Sequence, residues 1–443
     1  MRILCVLVMA LVVARDGFAQ DSTRLEQVAQ TAVANRTFSG AVLVARGSAV
    51  VLSKGYGLAN REWDIPNSPT TRFRLGSLTK QFTAAAVLLL EERGKLSVDD
   101  PIAKHLPDAP AAWAPITIRH LLTHSSGIPN FTAMPEYRSL RPFATTAAKT
   151  VAVFKDKPLD FAPGEKMTYS NSGYLVLGLL IETLTGQSYE AFVRDNLFAP
   201  LGMKDTGVDV NAAIIPRRAA GYAPSPGGPV NAGFIDMTVP HAAGALYSTT
   251  EDLLRWEQAL FNGKVVSASS LQKMTTPFKN DYAFGLVVRT SKGRKVVEHS
   301  GGIEGFNTAM AFYPETQTVV IVLANLNGPT ADQLSASLGA VAHGETMTLP
   351  SERTAITVPA SALTKYVGQY EMAPGVVLTV SANGEQLLAQ LTGQGPNAIF
   401  PESERRFFLK VVDAQLEFFV DATGAVTHLV LYQNGRELKG LRR

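Results

Sequence analysis

The chain has 443 residues, of which 46% are hydrophobic and 18% charged, and its net charge at pH 7 is +3. This length suits two or three domains of ~100–200 residues each, and the composition excludes a disordered or fibrous chain. The basic residues form no stripe along the sequence, so nothing in it indicates nucleic-acid binding.

The start of the chain has the pattern of a secretory signal peptide. A short basic start, Met1-Arg2, precedes the apolar run Ile3–Ala14, and the small residues of Gly17-Phe18-Ala19 follow. This pattern predicts cleavage after Ala19 and export to the periplasm or the medium. The apolar run is shorter than the ~20 residues that span a bilayer, so no stable membrane span is predicted. The single cysteine, Cys5, lies in this segment, so the mature chain has no disulfide and no thiolate metal site.

Strands are predicted near both ends of the next part of the chain, and helices lie between them. The predicted strands are Ala41–Ala45, Val50–Lys54, Leu286–Arg289, Lys295–His299, Ala309–Tyr313 and Val319–Ala324. The predicted helices are Leu78–Arg93 and Tyr174–Leu184, each closed by a glycine, and one that begins with the capping box Ser248–Glu251 and ends at Leu260. This order predicts an α+β fold in which both ends of the domain build one antiparallel sheet and helices form an insertion.

The sequence changes character after residue 345. Residues 346–359 are rich in Thr, Ser and Pro, which predicts a linker. Beyond it, short apolar runs alternate with Asn-Gly and similar turns, which predicts an antiparallel meander or small barrel over residues 360–443. The predicted division is therefore a signal peptide at 1–19, a main domain at 20–345, the linker, and a C-terminal β-domain.

A serine and a lysine one helical turn apart form the first candidate for chemistry. Ser77 lies at the predicted start of an apolar helix with Lys80 three residues later, so both side chains lie on one face. The hydroxyl can act as a nucleophile if burial keeps the lysine neutral enough to accept its proton. Ser77 alone would fit an ordinary N-cap serine better. The same pattern at Ser270 and Lys273 lies in a polar stretch, and we interpret it as a chance match.

Tyr169 and Asn171 form the second candidate, just before the second predicted helix. A tyrosine near a lysine can act as a base when cations stabilise its phenolate. Asn171 offers both a donor and an acceptor, which suits a substrate amide or a bridge to the lysine. Taken alone, Tyr169 would fit a core tyrosine with a satisfied hydroxyl better.

His299, Gly301 and Gly302 form the third candidate, at the end of a predicted strand. Glycines at a strand edge allow a substrate backbone to approach closely. A backbone N–H there can pair with the Ser77 N–H as an oxyanion hole. A single histidine is more often structural, so this motif gains its meaning from the other two.

In this order the three motifs resemble those of the serine β-lactamases and penicillin-binding proteins, especially the branch of class C β-lactamases, DD-carboxypeptidases and related esterases. The flanking segments 118–129, 163–166 and 244–248 agree with this family as well. The resemblance covers roughly residues 25–345 and implies a β-lactamase/transpeptidase-like fold, with the antiparallel sheet flanked by helices. The tail resembles, more loosely, the lipocalin-like β-domain often appended to such hydrolases.

The resemblance also implies a role for each motif residue. Ser77 would be the acylated nucleophile, and Lys80 and Tyr169 would share the general acid and base work. Asn171 would hold the substrate amide. The backbone N–H groups of Ser77 and Gly302 would form the oxyanion hole.

His299 departs from the β-lactamase pattern, which usually has a lysine of a K-T-G motif at this position. In those enzymes the lysine helps to bind the substrate carboxylate. A histidine with its ordinary pKa of ~6.5 is mostly neutral at pH 7, so we expect a weaker preference for anionic β-lactams. Third motifs of the H-x-G type, here His299 and Gly301, also occur in carboxypeptidase-like, D-aminopeptidase-like and esterase members of the family.

The sequence thus predicts an exported serine hydrolase that acts through an acyl-serine on small esters or on peptide-like amides containing D-amino acids. No metal or organic cofactor is predicted, and the expected partner is a small-molecule or short-peptide substrate. His120 and His124 have metal-ligand spacing but no acidic residue in step, so we do not predict zinc there. The alternative is a non-catalytic penicillin-sensing or peptide-binding module with the same pocket. The substrate itself and the oligomeric state stay open.

Overall fold

The computed structural model describes residues 22–410, 412–433 and 436–443, so the predicted signal peptide lies outside the described residues. The chain forms two compact units. The first comprises residues 37–343 with the described residues before 30, and the second comprises residues 344–443 with residues 30–36. Among the described residues, no helix combines the length and apolar character that crossing a membrane requires.

The elements before residue 344 alternate between a few long strands and many helices. The strands are β1 Gly40–Arg46, β2 Ala49–Tyr56, β3 Leu58–Asn60, β4 Ile65–Pro66, β5 Phe73–Arg74, β6 Gly207–Val208, β7 Tyr222–Ala223, β8 Val230–Asn231, β9 Leu246–Ser248, β10 Val287–Ser291, β11 Arg294–Ile303, β12 Phe306–Tyr313 and β13 Thr318–Ala324. The helices are α1 over residues 22–34, α2 Thr79–Glu92, α3 Ile118–Leu122, α4 Tyr137–Leu140, α5 Ala147–Ala152, α6 Asn171–Thr185, α7 Tyr189–Val193, α8 His241–Gly244, α9 Thr250–Phe261, α10 Ala268–Met274 and α11 Thr330–Ala342.

The main sheet is antiparallel and has the strand order β10-β11-β12-β13-β1-β2. Strands β1 and β13 are buried along almost their whole length and pair in register from Gly40 with Ala324 to Arg46 with Thr318. Their unbroken apolar runs are typical of strands that are covered on both faces, and both α9 and α11 pack against β13. The predicted α+β fold, with a sheet built from both ends of the domain, is confirmed.

Helix α2 carries the first motif into the centre of this unit. Its residues are apolar nearly all round, and most of them are buried. It packs against α6 and α8, and the chain leaves it at Gly94, whose φ of 67° suits glycine. The predicted buried helix is confirmed, with its bounds shifted by one residue at each end.

Among the boundaries that differ from the predicted ones, three concern the motifs and the helix caps. Helix α6 begins at Asn171 and not at Tyr174. The prediction began late because the first turn of the helix is polar and precedes the apolar run. The capping box predicted at Ser248–Glu251 was wrong by one residue, since the Thr249 side chain accepts the hydrogen bond from the Asp252 N–H at 3.2 Å. Strand β11 continues to Ile303, so the third motif lies within a strand rather than after one. Glycines weaken a strand pattern in the sequence, but pairing with β12 maintains it here.

The second unit is built around a closed antiparallel barrel of eight strands. They are β14 Gly368–Ala373, β15 Val376–Asn383, β16 Gln386–Leu391, β17 Asn397–Pro401, β18 Arg406–Leu409, β19 Ala414–Val420, β20 Val426–Gln433 and β21 Arg436–Arg442, preceded by the short helix α12 Ala360–Leu363. Pairing of β14 with β21 closes the barrel, which removes the exposed edges of an open sheet. Tyr366, Tyr370, Phe407 and Phe418 pack inside it with other apolar residues. The predicted small C-terminal β-barrel is confirmed.

Strand β11 approaches the turn before α2 so closely that only glycine fits at residue 301. A β-carbon on Gly301 would overlap the carbonyl oxygen of Leu75 and the Thr308 hydroxyl. These two groups already share a hydrogen bond of 2.7 Å. The absence of a side chain at Gly301 therefore sets the distance between the strand and the segment that carries Ser77.

We predict that Gly301→Ala lowers the free energy of unfolding by about 1–3 kcal/mol, the usual cost of overpacking a tight site. Urea denaturation of the variant beside the wild type measures this difference. Gly227→Ala is the matched control, because a β-carbon there meets open space; surface changes of this kind usually stay within about 0.5 kcal/mol. Equal stability of the two variants would contradict the packing argument.

Candidate active site

Ser77 and Lys80 lie at the junction between a turn and a buried helix. Ser77 is in a short 3-10 turn, Gly76–Leu78, that leads directly into α2. The Lys80 Nζ lies 3.0 Å from Ser77 Oγ, 2.8 Å from Asn171 Oδ1 and 2.8 Å from the carbonyl oxygen of Ala243. The first motif thus brings a hydroxyl and an amine into direct hydrogen-bond contact.

The environment of Lys80 favours the neutral amine. Its side chain is completely buried, and burial lowers its pKa well below the usual value. A neutral amine has two N–H groups and one lone pair. Asn171 Oδ1 and the Ala243 carbonyl can take the two N–H groups, which leaves the lone pair for the Ser77 hydroxyl. The geometry therefore suits proton transfer from Ser77 to Lys80.

Asn171 is held in place by the loop that precedes α4. Its Nδ2 donates to Thr132 Oγ1 at 3.2 Å, and its backbone N–H donates to Asn130 Oδ1 at 3.1 Å. Thr132 Oγ1 in turn donates to Asn130 Oδ1 at 3.0 Å. Both ends of the Asn171 amide are thus occupied, one by Lys80 and one by Thr132, so the side chain bridges the lysine to this loop.

Tyr169 lies beside Lys80 and Ser77. The Lys80 Nζ is 4.9 Å from the centre of its ring. Burial raises the pKa of the Tyr169 hydroxyl above its usual value, and a hydrogen bond with the Ser77 side chain offsets only part of that rise. At neutral pH Tyr169 therefore keeps its proton and is suited to donating it.

His124 packs against Tyr169 from the other side, with 4.2 Å between the ring centres. It is fully buried, its Nδ1 accepts from the Ser170 N–H at 3.2 Å, and burial lowers its pKa well below the usual value. His124 is therefore a neutral ring that fixes the position of Tyr169. His120, which lies four residues earlier in the chain, has a different role. Its Nδ1 accepts the Thr117 N–H at 3.2 Å in the capping box of α3.

His299 lies 6.4 Å from Tyr169, measured between ring centres, and both of its ring nitrogens are hydrogen-bonded. Nδ1 donates to the Ser300 carbonyl at 2.6 Å, so in the neutral ring Nε2 must accept, and it takes the Tyr282 hydroxyl at 3.0 Å. Burial and the nearby Lys80 lower the pKa of His299 to about 4. His299 is thus a neutral ring at pH 7, more firmly so than an ordinary histidine.

Gly302 and the turn before α2 come together where the oxyanion hole was predicted. A β-carbon on Gly76, whose φ is 55°, would lie 2.8 Å from the backbone nitrogen of Gly302. The Ser77 nitrogen in turn lies 3.0 Å from the place where a β-carbon on Gly301 would be. The backbones of the first and third motifs are therefore adjacent.

A cavity of about 410 Å³ opens in front of Ser77. Ser77, Asn171 and Gly302 line it, whereas Lys80, Tyr169 and His299 lie behind its wall. The remaining lining residues are mostly apolar: Gly76, Phe131, Thr132, Tyr137, Ile235, Val239, Pro240, Ala243, Gly244, Ile303, Glu304 and Asn327. The cavity has room for a small substrate with its carbonyl at Ser77.

Several residues of the site were missed in the sequence. Tyr282 lies in an irregular stretch between α10 and β10 that has no motif, and only the fold brings it to His299. Glu304 follows the third motif in a turn and carries no spacing signal. The second Ser-x-x-Lys pattern is confirmed as a chance match, because Lys273 forms an ion pair with Glu91 at 2.8 Å.

Comparison with known proteins agrees with this geometry. A family model described as Beta-lactamase matches residues 25–343, and one described as Domain of unknown function (DUF3471) matches residues 352–442. Penicillin-binding protein 4* of Bacillus subtilis (strain 168) is 30% identical over 455 residues, covering 94% of this chain and 98% of that protein.

Two solved structures are also similar. The octameric penicillin-binding protein homologue from Pyrococcus abyssi has a TM-score of 0.68 and 27% identity, and the match covers 94% of this chain and 99% of that one. The D-amino acid amidase from Ochrobactrum anthropi SV3, complexed with D-phenylalanine, has a TM-score of 0.62 and 26% identity over 69% of this chain and 93% of that one. The resemblance seen in the three motifs is confirmed: the chain belongs to the β-lactamase family of serine hydrolases, together with penicillin-binding proteins and D-amino acid amidases.

Proposed function

We propose that the protein hydrolyses small carboxylic esters or amides of D-amino acids through a covalent acyl-enzyme on Ser77. The observation that carries this proposal is the 3.0 Å contact between Ser77 Oγ and the buried amine of Lys80, at the wall of an open cavity. A nucleophile beside a base of depressed pKa is the arrangement that acyl transfer requires.

In the first step the Ser77 oxygen attacks the substrate carbonyl carbon while its proton passes to neutral Lys80. The backbone N–H groups of Ser77 and Gly302 would stabilise the negative oxygen that forms. The bond from the carbonyl carbon to the leaving alcohol or amine then breaks. The leaving group takes the Tyr169 proton, which the Lys80 ammonium replaces.

The second step reverses these proton transfers with water. A water molecule attacks the acyl carbon and gives a proton to Lys80, and Ser77 regains its proton as the acid product leaves. The opposite pKa shifts of Lys80 and Tyr169 support this division of roles, because one group is kept ready to accept a proton and the other to donate one.

The neutral His299 supports a substrate class that does not depend on a carboxylate. In the β-lactamases that the chain resembles, the lysine at this position helps to bind the carboxylate of anionic β-lactams. The D-amino acid amidase among the structural relatives offers an alternative chemistry for the same fold.

We also propose that the protein is exported to the periplasm or the medium. The support is the basic start, apolar run and small-residue exit of the first 19 residues.

Intact mass spectrometry over time tests the proposal, with a penicillin and with D-alanine methyl ester as substrates. We expect an acyl adduct that is absent in Ser77→Ala, and release of product over many turnovers of the ester. Hydrolysis that survives Ser77→Ala would refute the nucleophile. An adduct that forms once and never turns over, with either compound, would instead favour the penicillin-sensing module.

Lys80→Ala should lower the rate of acylation by about 10²–10⁴-fold, the usual contribution of a positioned general base. Lys273→Ala is the matched control, because that lysine lies in the second Ser-x-x-Lys pattern and pairs with Glu91. In the wild type the rate should fall as the pH drops through the lowered pKa of Lys80, since the ammonium form cannot accept a proton. Stopped-flow acylation measures both effects, and similar rates for the two variants would remove Lys80 from the mechanism.

Replacing His299 with lysine should shift selectivity towards anionic substrates by roughly tenfold, because a charge a few ångströms from a carboxylate at the protein surface is worth about 1–4 kcal/mol. His299→Gln keeps a neutral hydrogen-bonding group and serves as the control. Equal kcat/KM ratios for an anionic and a neutral ester in the two variants would contradict the charge argument.

A further inference from the structure

The cavity in front of Ser77 has one charged residue among its lining side chains, and it is the carboxylate of Glu304. Glu304 lies in the turn directly after β11, two residues beyond Gly302. Ser77 and Glu304 line the same cavity, so a substrate that places its carbonyl at Ser77 can present an attached group to the Glu304 side chain.

One face of the Glu304 carboxylate is already paired. Its Oε1 accepts from Arg141 Nη1 at 3.2 Å, and the Glu304 side chain is 18% exposed. Within the described part of the chain, Oε2 of Glu304 has no hydrogen-bond partner. A second donor can therefore bind to Oε2 without displacing Arg141.

Arg141 is less suited to meet a ligand. Its side chain is 39% exposed, but it does not line the cavity, and its Nε is buried without a partner among the described residues. The other cationic groups near Ser77, Lys80 and His299, are held towards their neutral forms. The cavity therefore presents a negative oxygen and no free positive charge from its lining residues.

The negative charge acts beside a wall that has both polar and apolar surface. Burial, reinforced by the charge of Glu304, raises the pKa of Tyr137 to about 12, and Tyr137 lines the same cavity. Ile235, Val239 and Pro240 form another part of the wall. The Glu304 side chain is mostly buried, which weakens screening by water, so a cation beside it is favoured more than at an open surface.

We propose that Glu304 determines specificity by binding an ammonium group on the acyl portion of the substrate. The substrates would then be esters or amides of amino acids with a free amine, rather than N-acylated or anionic compounds. This inference rests on the proposed acyl transfer at Ser77. Arg141 acts as a positioning residue that holds the carboxylate through Oε1.

The test compares three methyl esters: D-alanine methyl ester, which carries an ammonium group, N-acetyl-D-alanine methyl ester, which is neutral, and monomethyl succinate, which is anionic. At pH 6.5 we expect the wild-type kcat/KM to be at least tenfold higher for the ammonium ester than for the neutral one. Glu304→Gln should remove most of this preference by lowering kcat/KM for the ammonium ester. The preference in the wild type should fade as the pH rises through the α-amino pKa of ~7.7–8.0, and it should not change in Glu304→Gln.

Two variants control the comparison. Glu315→Gln removes the same charge from an exposed turn between β12 and β13, and the preference should be unchanged. Arg141→Gln removes the positive charge that opposes an ammonium group beside Glu304 and keeps an N–H donor that can hold Oε1, so the preference for the ammonium ester should rise. A loss of activity on monomethyl succinate alone in Arg141→Gln would show that this site binds a carboxylate, and would overturn the inference. An unchanged preference in Glu304→Gln would also overturn it.

Binding separates this inference from the catalytic proposal. Ser77→Ala is titrated by calorimetry with D-alaninamide and with N-acetyl-D-alaninamide, alone and combined with Glu304→Gln. Tighter binding of the free amine that disappears in the double variant supports Glu304 even if no ester is turned over. Equal binding of the two amides to Ser77→Ala overturns the inference, whether or not Ser77 is acylated.

Discussion

The burial of the Lys80 amine is the constraint on which the rest of the site depends. An ionised amine loses much of its hydration inside a protein, so an isolated lysine there would be strongly destabilising. Three hydrogen-bond partners compensate, and each comes from a different element: Ser77 from the turn before α2, Asn171 from α6 and the Ala243 carbonyl from α8. The same contacts that make the amine tolerable therefore fix the relative positions of the elements that carry the first two motifs.

This arrangement also explains why so much of the surrounding chemistry is neutral. Burial first, and then the charge of the Lys80 ammonium form, lowers the pKa of both His124 and His299. Their hydrogen bonds are those of neutral rings. The charge balance of the cavity is then set further out, by Glu304 and Arg141, where partial exposure reduces the cost of ionisation.

The sequence predicted the parts of the site that local patterns encode. Ser77 and Lys80 are one helical turn apart, and the apolar helix that buries the lysine is visible in the sequence. The main sheet followed from apolar runs at both ends of the domain, and the barrel from regular turns. Tyr282 and Glu304 could not be predicted, because their importance comes from tertiary contacts and no periodicity or spacing marks them. The error at Ser248 arose because Ser248 and Thr249 are both suitable N-cap residues, and only the folded structure shows which one accepts the hydrogen bond. The end of β11 was placed too early because its glycines give no strand signal, whereas pairing with β12 continues the strand.

The contact between His299 and Tyr282 shows how one residue changes the character of the third motif. A lysine has only donors when charged, so at residue 299 it would require the Tyr282 oxygen to accept. The histidine, with Nδ1 donating to the Ser300 carbonyl, requires Tyr282 to donate instead. With histidine at residue 299, the Tyr282 hydroxyl donates its proton to His299 Nε2. The ring stays neutral, so residue 299 adds no positive charge near the cavity. The identity of residue 299 thus decides which charge the rest of the cavity can supply, and in this chain the remaining charge at the lining is the carboxylate of Glu304.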